Sequence, residues 1–449
     1  MKSAKSLSSF RLGGIHPPEN KLSATSPILD LPLPALVTIP VTQNLGAPAK
    51  VIVKKGDAVL VGQIIAAAGG FVSANTHSSV SGTVAKITDE VDSSGYKRPT
   101  ITIKVEGDDW IEGVDLSDAL VTDLGLTNQE MMERIVTAGI VGLGGAAFPS
   151  HVKLTPPKGK SCDVLIINGV ECEPYLTADH RLMLEQGAEL IVGIKILMQL
   201  LNSSRAVIGI ENNKRDAIKQ LEQLLESESG IEVTPLKVQY PQGGEKQLIN
   251  ATIGKEVPAG ALPIEVGAVV HNVGTIVAIY HAVMKGRPLV ERIITVTGKK
   301  ITKPANFRVR IGTPVSHLIE AVGGLPMGSG KVINGGPMMG RALTTLDAPV
   351  VKGSSGILVM DGSESIRREA VACIRCAKCI DSCPMGLAPY LLKIWGERSE
   401  LERAEDELVM DCIECGSCSF TCPANLPLLD YIRLAKQGVG RMLRERSKS

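Results

Sequence analysis

CIRCAKCIDSCP at residues 373–384 and CIECGSCSFTCP at residues 412–423 repeat one pattern, C-x2-C-x2-C-x3-C-P, and together contain eight of the ten cysteines in the chain. We call them the first run and the second run. This spacing is typical of loops that bind cubane iron–sulfur clusters, in which the fourth cysteine of each run ligates the cluster of the other run. The sequence therefore predicts two 4Fe–4S clusters. Their predicted ligands are Cys373, Cys376, Cys379 and Cys422 for the first cluster, and Cys412, Cys415, Cys418 and Cys383 for the second.

Zinc and disulfide bonds are the alternative uses of these cysteines. C-x2-C pairs also form zinc ribbons, but a zinc site needs two pairs and leaves the third and fourth cysteines of each run unexplained. A chain of 449 residues can bury a core without disulfides. Its N-terminal segment has no apolar signal-peptide region, so we expect a reducing compartment.

Composition limits the class of partner. A net charge of +1 and an aromatic content of 3% argue against nucleic acid, which requires a basic surface and stacking side chains. Residues 190–201 are apolar but too few to span a bilayer, and residues 264–284 are interrupted by Glu265, His271, Asn272 and His281. We therefore expect a soluble or peripherally attached protein.

The first 110 residues are expected to form an irregular arm, residues 1–30, and a β module, residues 31–110. Short β-branched runs such as LVTIPV and TITIKV are separated by glycine turns. The module resembles the biotinyl/lipoyl barrel-sandwich fold. Where a carrier domain has a modifiable lysine, this sequence reads SANTHSS, so a structural or docking role is expected. His77 in that segment is expected to be a solvated loop residue.

Residues 111–290 are predicted to form a Rossmann-like α/β domain that binds a flavin or nucleotide. Thr127 and Glu130 form a capping box for a helix that ends near Ala138. The following GIVGLGGAAFPSHVKL contains glycines whose backbone N–H groups can approach a phosphate closely. Taken alone, this stretch fits a tight turn between domains equally well.

The next segments alternate between strand and helix patterns. CDVLIING predicts a buried strand ending at Asn168, with Glu171 and Glu173 just beyond it and a helix from about Thr177. AVIGIE and IEVTPLKV are predicted strands, and a helix is predicted between them. Ligands of parallel sheets bind at the carboxyl ends of the strands, where the glycines, Asn168 and the glutamates are expected.

Four motifs in this domain carry a family resemblance. GLGGAAFPSHVKL, NGVECEP, YPQGGEKQL and HNVGT occur in this order, as in the NADH-oxidising flavoprotein subunit of respiratory complex I. Together with the N-terminal module and the tandem cysteine runs, they make the whole chain resemble the C subunit of Rnf complexes, the ion-translocating ferredoxin:NAD oxidoreductases.

The resemblance implies FMN and NADH sites. It implies contacts of the flavin with Lys153 and Asn168, closure of the flavin site by Asn272 and Thr275, and a nicotinamide nucleotide near Glu171 and Glu173. The complete implied set is Gly142, Gly144, Gly145, Ala146, Lys153, Asn168, Glu171, Glu173, Tyr240, Gly243, Glu245, Asn272 and Thr275. The sequence departs from the complex I pattern at Gly244, His271 and Gly274.

Several of these residues have structural alternatives. Lys153 could be a surface lysine, and Tyr240 could fill the edge of a core. Glu171 and Glu173 could cap the following helix, since acids are favourable at a helix N-terminus. Glu245 is predicted to repel the 2′-phosphate of NADPH.

The remaining units follow in order. Residues 291–362 resemble a β-grasp, SLBB-like domain with the order strand, strand, helix, strand and return strand. Residues 363–435 are predicted to be an α-helical, ferredoxin-like domain that holds both clusters. The last stretch, PLLDYIRLAKQGVGRMLRERSKS at residues 427–449, is predicted to be an amphipathic helix that ends in a basic tail, assigned to residues 436–449. The tail could touch anionic lipid or simply be solvated.

The resemblance implies the electron-input subunit of a membrane-associated complex. Electrons would pass between NADH or NAD+ and a ferredoxin-like iron–sulfur subunit through non-covalent FMN and two 4Fe–4S clusters, while the whole complex translocates ions. No residue need act as acid or base, because the cofactors do the chemistry. A peripheral position at the cytoplasmic face of the cell membrane is implied. A flavin-free electron-wiring adaptor and a stand-alone NADH:acceptor oxidoreductase remain alternatives.

Overall fold

The N-terminal arm is partly ordered into a sheet. The computed structural model describes residues 7–91 and 95–447. In it the arm contains a short strand, β1 (Ile28–Asp30), which pairs in parallel with Asn306–Arg308 of the third unit. Nearer the N-terminus, Ile15 and Tyr240 exchange two backbone hydrogen bonds. The prediction of an irregular arm over residues 1–30 is therefore wrong at its end, because those residues complete a sheet edge that belongs to another unit.

The β module consists of two antiparallel sheets around one apolar core. In the second strand of the chain, Val37 and Ile39 are buried while Thr38 between them is half-buried, which is the period of two expected for a strand with one buried face. The strand orders are β2-β8-β7-β4 and β3-β5-β6. The strands are β2 (Leu36–Pro40), β3 (Lys50–Val51), β4 (Ala58–Val59), β5 (Ile64–Ala67), β6 (Thr76–His77), β7 (Ser81–Val91) and β8 (Lys97–Gly107).

The hairpin that contains His77 is buried. His77 lies in β6, and burial lowers its pKa to about 3. The side chain of Lys352 from the third unit lies nearby and donates hydrogen bonds to the carbonyls of Asn75 (2.7 Å) and Gly139 (2.8 Å). The expectation of a solvated His77 is therefore wrong, because the hairpin packs into a junction of three units. This packing favours a structural role for the module.

The second unit is a four-stranded parallel sheet with the strand order β11-β10-β9-β12. Successive residues of β9 enter two different apolar cores, Leu165 and Ile167 on one face and Val164 and Ile166 on the other, so the sheet is covered on both faces. Its elements are α1 (Asn128–Thr137), α2 (Ser150–Lys153), β9 (Val164–Asn168), α3 (Ala178–Glu185), α4 (Gly187–Leu201), β10 (Ala206–Glu211), α5 (Arg215–Leu224), β11 (Ile231–Leu236), α6 (Glu245–Ile253), a 3-10 helix (Pro263–Val266), β12 (Ala268–Asn272) and α7 (Val273–Lys285).

Two predictions for this unit are confirmed. The capping box is present, with the Glu130 N–H bound to the Thr127 hydroxyl and the Thr127 N–H bound to the Glu130 carboxylate. The apolar stretch 264–284 is divided among the 3-10 helix, β12 and α7. Within the described residues, no helix is both long and apolar enough to cross a membrane.

The third unit is built on a mixed sheet with the order β1-β14-β13-β17-β15-β16. Its central strands β13 and β17 run in parallel, and a helix follows the second strand of the unit, which confirms the predicted order of elements. The elements are β13 (Glu291–Thr297), β14 (Ala305–Arg310), α8 (Val315–Ala321), β15 (Ser329–Asn334), β16 (Arg341–Ala342), β17 (Gly356–Asp361) and α9 (Gly362–Ser365).

The cysteine domain is helical, and its last helix is longer than predicted. Ile432, Ala435 and Val439 recur at helical spacing and are buried, so the helix continues through position 436 as far as Arg446. The predicted amphipathic helix is therefore confirmed, whereas the start of the basic tail at residue 436 is wrong, because residues 436–446 belong to the helix. The elements are α10 (Lys378–Asp381), α11 (Pro389–Arg398), α12 (Leu401–Asp406), a 3-10 helix (Val409–Asp411), α13 (Ser417–Thr421) and α14 (Leu428–Arg446).

Candidate functional site

Two asparagines lie side by side at the carboxyl edge of the parallel sheet. Asn168 ends β9, Asn272 ends β12, and the two residues are paired in register. Ligands of such sheets bind at this edge. The structure therefore brings together two residues that the sequence placed in separate motifs.

The glycine-rich loop, residues 142–147, is fixed against Asn272 and open to solvent elsewhere. A Cβ atom on Gly144 would lie 2.9 Å from the Cβ of Asn272, so only glycine fits there. The Leu143 N–H donates to the Thr275 hydroxyl (2.9 Å), and the Gly142 N–H closes the loop on the Phe148 carbonyl (2.8 Å). Gly144, Gly145 and Ala146 are exposed, and a Cβ on Gly145 would meet nothing within 4 Å. This exposed backbone fits the close approach of a flavin phosphate or ring.

Asp179 and Arg292 support this loop, and sequence reasoning missed both. The Asn272 side-chain amide donates to Asp179 (2.6 Å), while the Arg292 guanidinium donates to the Leu143 carbonyl (3.1 Å). Burial and the neighbouring Glu171 raise the pKa of Asp179, and burial lowers the pKa of Arg292 to about 10. Neither residue lies in one of the four motifs, so the sequence carried no signal for them.

Lys153 and Glu245 form an ion pair at the same edge. The Lys153 ammonium donates to the Glu245 carboxylate (2.6 Å) and to the Val270 carbonyl (2.7 Å) in β12. Both side chains are partly exposed. The pairing offsets the negative charge of Glu245, which weakens the argument that this carboxylate alone repels a 2′-phosphate; that selectivity stays a prediction.

Asn168 is connected to the tyrosine motif. Its side-chain amide donates to the Gly243 carbonyl (2.9 Å), and the Gly243 N–H points to the Cys172 sulfur (3.4 Å). Burial, followed by the negative charge of Glu211, raises the pKa of Cys172 to about 12. The thiol is therefore protonated and packs as a small, partly buried group.

The two glutamates of NGVECEP have different partners. The Glu171 carboxylate accepts hydrogen bonds from the N–H groups of Asp179 (2.8 Å) and His180 (3.1 Å), so it caps α3. Glu173 instead accepts from Met338 (3.2 Å) and Met339 (2.7 Å) in the third unit. Burial raises the pKa of Glu173 to about 7. Both carboxylates thus have backbone partners, and a nucleotide near them stays a prediction.

Lys21 of the N-terminal arm supports the segment 171–176 by hydrogen bonds, and no role was predicted for this lysine from the sequence. Its ammonium donates to three main-chain carbonyls, those of Glu171 (2.8 Å), Glu173 (2.9 Å) and Leu176 (2.7 Å). Burial lowers its pKa to about 8. The arm is therefore part of the support of the site.

We expect Lys21→Met to destabilise the protein by about 2–4 kcal/mol. Leaving a buried acceptor without its partner costs about 1–3 kcal/mol, and three acceptors are affected, although removing a buried charge offsets part of the loss. The measurement is the free energy of unfolding in urea. Lys160→Met is the matched control, because Lys160 is exposed and its hydrogen bond is to Glu265. Equal losses in the two variants would contradict the supporting role.

The same variant has a pH signature. The Lys21 pKa is lowered from 10.5 to about 8 in the folded chain, so between these values the unfolded chain binds more protons. Stability therefore rises with pH across this window. We expect a smaller rise in Lys21→Met than in the wild type.

Tyr240 connects the sheet edge with the cysteine domain. Its side chain is 2% exposed, packs with Ile15 and Cys415, and donates a hydrogen bond to the Cys415 carbonyl (2.8 Å). Cys172 and Met338 pack against this group. Tyr240 thus packs at the contact between the second unit and the cysteine domain. A contact of Tyr240 with the nucleotide stays a prediction.

The four predicted ligands of the second cluster are brought together. Cys383, Cys412, Cys415 and Cys418 line one cavity, whose other lining residues include Leu387, Leu392 and Ile432. The thiol of Cys418 interacts electrostatically with the other three. The fourth cysteine of the first run therefore lies with the second run, as the spacing predicts.

The ligands of the first cluster are more open. Cys379 and Cys422 lie close enough to interact electrostatically, whereas Cys373 and Cys376 are exposed. In the described part of the chain, no three His, Cys, Asp or Glu side chains converge closely enough to hold a single metal ion.

The two runs share one backbone conformation. Arg375 and Ala377 in the first run, and Glu414 and Gly416 at the corresponding places in the second, all have positive φ. Alternation of right- and left-handed residues turns successive N–H groups into a concave anion site of the kind found around iron–sulfur clusters. The Glu414 N–H already points to the Cys412 sulfur (3.4 Å). Thiolate donors in this backbone setting fit a cubane cluster.

Comparisons with protein families match four stretches of the chain. Residues 9–108 match the RnfC barrel sandwich hybrid domain, residues 135–281 the Nuo51 FMN-binding domain, residues 293–342 the SLBB domain, and residues 365–423 the 4Fe–4S dicluster domain. These matches confirm the predicted fold classes and support the predicted cofactors, FMN and two 4Fe–4S clusters. The individual flavin and nucleotide contacts stay predictions.

Relatives match over nearly the whole chain. The C subunit of the proton-translocating ferredoxin:NAD(+) oxidoreductase complex of Clostridium ljungdahlii is 46% identical over 99% of this chain and 96% of its own length. The C subunit of the Na(+)-translocating ferredoxin:NAD(+) oxidoreductase complex of Acetobacterium woodii is 43% identical over 95% of this chain and 96% of its own length. A solved NAD+-reducing NiFe hydrogenase aligns with a TM-score of 0.51 at 19% identity, over 70% of this chain and 63% of the hydrogenase chain, and shows the fold alone.

Proposed function

We propose that this chain, which belongs to the family of C subunits of ion-translocating ferredoxin:NAD+ oxidoreductase complexes, exchanges electrons between NADH and one-electron partners. The observation that carries the proposal is the hydrogen bond from Tyr240 to the Cys415 carbonyl. It joins the unit that matches an FMN-binding domain to the loop that binds the second cluster. The unit with the candidate flavin site and the loop predicted to bind the second cluster are therefore joined by a hydrogen bond between their residues.

In this proposal, the residues of the chain bind and orient the cofactors, and the cofactors carry out the chemistry. A flavin takes two electrons from NADH as hydride and releases them singly, and each cluster carries one electron. The glycine-rich loop offers its exposed backbone to the flavin, while Thr275 and Arg292 hold that loop in place. Asn168 and Asn272 lie beside it at the sheet edge.

We assign contacts with FMN and NADH to those predicted residues whose side chains or backbone groups lie at the edge of the site and can reach a bound cofactor. Lys153 and Glu245 are partly exposed at the edge of the site and suit contacts with a flavin or nucleotide. Glu171 and Glu173 shape the pocket, since their carboxylates already accept backbone N–H groups. The contacts assigned to FMN and NADH by exposed or edge positions are those of Gly144, Gly145, Ala146, Lys153, Asn168, Glu245 and Asn272. Thr275 is buried and closes the site through its hydrogen bond with Leu143.

The cysteines that would hold the second cluster contact the unit with the candidate flavin site. Cys415 is buried against Tyr240, which neighbours the Asn168–Gly243 contact through Cys172. Cys373 and Cys376 of the first cluster face solvent. If clusters are bound, Cys383, Cys412, Cys415 and Cys418 would therefore hold the one that accepts electrons from the flavin site.

We place the chain in a membrane complex, beside a ferredoxin-like iron–sulfur subunit and peripherally on the cytoplasmic face of the cell membrane. The named relatives are C subunits of ion-translocating ferredoxin:NAD(+) oxidoreductase complexes, which supports this placement. In this assignment, ion translocation belongs to the other subunits of the complex.

The proposal is tested by iron, acid-labile sulfide and flavin analysis of anaerobically purified protein, followed by titration with NADH. We expect about eight irons and about one FMN per chain, with NADH bleaching both flavin and cluster absorbance. Eight irons without retained or rebound flavin, and without bleaching, would instead identify an electron-wiring adaptor. Full turnover with artificial acceptors, together with failure to bind any membrane subunit, would identify a stand-alone oxidoreductase.

We expect Glu245→Gln to raise the ratio of kcat/KM for NADPH to that for NADH by about tenfold, which corresponds to about 1.4 kcal/mol. The change removes one negative charge and leaves Lys153 free to attract the 2′-phosphate. Glu265→Gln is the matched control, because Glu265 forms an equally exposed ion pair with Lys160. An unchanged ratio in both variants would remove Glu245 from nucleotide selection.

A further inference from the structure

The N-terminal arm packs against the loop that contains Cys383, a predicted ligand of the second cluster. The Gly14 N–H donates a hydrogen bond to the Ser382 carbonyl (3.0 Å). A Cβ atom on Gly13 would lie 2.5 Å from both the carbonyl carbon and the carbonyl oxygen of Cys383. The backbones of the arm and of the cysteine loop are therefore in contact, with no room for a side chain at position 13.

The next residue of the arm contacts another predicted ligand of the same cluster. Ile15 is 6% exposed and packs with Tyr240 and Cys415. Its main chain and that of Tyr240 donate hydrogen bonds to each other, both 2.9 Å long. Three consecutive residues of the arm thus lie against the loops that carry two of the four predicted ligands.

The same stretch of the arm is anchored to the second unit at both of its ends. At one end, the side-chain amide of Gln239 donates to the Gly13 carbonyl (2.9 Å). At the other end, Lys21 donates to three carbonyls of the segment 171–176, which is predicted to lie near the nucleotide. Residues 13–21 therefore connect the cysteine loop with the candidate flavin and nucleotide unit.

We propose that residues 13–21, which we call the strap, position Cys383 and Cys415 for the second cluster and keep water away from it. The inference rests on the proposed function, in which this cluster accepts electrons from the flavin site. Both cysteines are buried. Solvent access and the groups that orient the ligands help to set the reduction potential of an iron–sulfur cluster. Reduction adds negative charge, which water stabilises, so the strap holds the potential of the second cluster lower than an open loop would.

The key variant is Gly13→Ala. Gly13 has a φ of +68°, and the added methyl group would overlap the Cys383 carbonyl, which is backbone and cannot rotate away as a flexible side chain could. The strap and the cysteine loop must therefore separate. Gly159→Ala is the matched control, because Gly159 also has a positive φ, +84°, but a Cβ there would meet nothing within 4 Å.

Two properties of the anaerobically purified full chain are measured. A redox titration with dithionite, followed by EPR, gives the reduction potentials of the clusters, and a ferrous-iron chelator gives the rate of iron loss. Cys376→Ser, which removes an exposed ligand of the first cluster, assigns the EPR signals. In Gly13→Ala we expect a more positive potential of the second cluster and loss of about four irons at least about tenfold faster than in Gly159→Ala.

Ile15→Ala is an independent variant, since it leaves the backbone contacts in place and removes apolar cover beside Cys415. We expect its second-cluster potential to shift in the same direction by a smaller amount. Equal potentials and equal iron-loss rates in Gly13→Ala and Gly159→Ala would overturn the role of the strap. If Gly13→Ala retains no iron, an unchanged potential in Ile15→Ala would overturn it.

The same samples distinguish failure of the strap from failure of the proposed function. Neither the titration with dithionite nor the chelation uses NADH or the flavin. Failure of NADH to reduce the clusters of the wild type would therefore refute the proposed function, while the potentials and iron-loss rates would still decide whether the strap positions and shields the second cluster.

Discussion

Cys415→Ser is expected to leave bleaching of the flavin by NADH intact while lowering NADH-dependent reduction of the first cluster at least a hundredfold, equivalent to about 2.7 kcal/mol or more. Serine is a poor replacement for a thiolate ligand, so the second cluster is lost and iron falls from about eight to about four per chain. Cys415 is the predicted ligand that contacts Tyr240. The measurement is rapid mixing with NADH followed by low-temperature EPR of the remaining cluster.

Two further variants make this result decisive. Cys376→Ser removes an exposed ligand of the first cluster, and the second cluster should then still be reduced by NADH. Tyr240→Phe keeps all ligands and removes only the hydrogen bond to the Cys415 carbonyl, so we expect full iron content and slower cluster reduction. Rapid reduction of the first cluster in Cys415→Ser would show that electrons bypass the second.

Gly144→Val is expected to weaken FMN binding at least about tenfold. The added side chain overlaps Asn272, which caps α7 and bonds to Asp179. Overpacking of this kind costs about 1–3 kcal/mol, and the displaced loop no longer presents its backbone to the flavin. The measurement is FMN content after purification together with the dissociation constant of added FMN.

Gly70→Val controls for the general effect of replacing a glycine. Gly70 is exposed, and a Cβ there would meet nothing within 4 Å. Iron content should be unchanged in both variants, because the cysteine runs are remote in sequence from both glycines. Full FMN content in Gly144→Val would remove the loop from the flavin site.

Spacing and strand order predicted much of the site. The eight cysteines were assigned from the repeat alone, and the structure places Cys383 with the second run as expected. The strand that ends at Asn168 was predicted, whereas Asn272 was expected at the site only from the family resemblance; the structure shows that Asn272 also ends a strand and pairs in register with Asn168. These features follow from local sequence, because ligand spacing and strand direction are encoded over short stretches.

The supporting contacts could not be predicted, because they join distant parts of the chain. Lys21 donates hydrogen bonds to three carbonyls about 150 residues later in the sequence. Arg292 belongs to the third unit but donates to the Leu143 carbonyl in the glycine-rich loop of the second unit. His77 was expected in solvent but is buried, since Lys352 and Gly139 close over its hairpin. A polar side chain in a sequence does not indicate which other unit will cover it.

At the end of the chain, the amphipathic helix was predicted from the sequence but the start of the basic tail was placed too early. The basic residues after position 436 suggested a solvated tail, yet Val439 is fully buried and Gly438 packs against Leu401. The buried face of α14 was present in the sequence at helical spacing.

The most direct test of electron transfer within this chain is a single anaerobic mixing experiment with NADH and the wild type. Flavin and cluster absorbance are recorded together, and dithionite is added at the end to define full reduction. We expect flavin bleaching to come first and cluster bleaching to follow in the same reaction. Clusters that dithionite reduces but NADH does not, beside a flavin that NADH bleaches, would contradict electron transfer between the two sites of this chain.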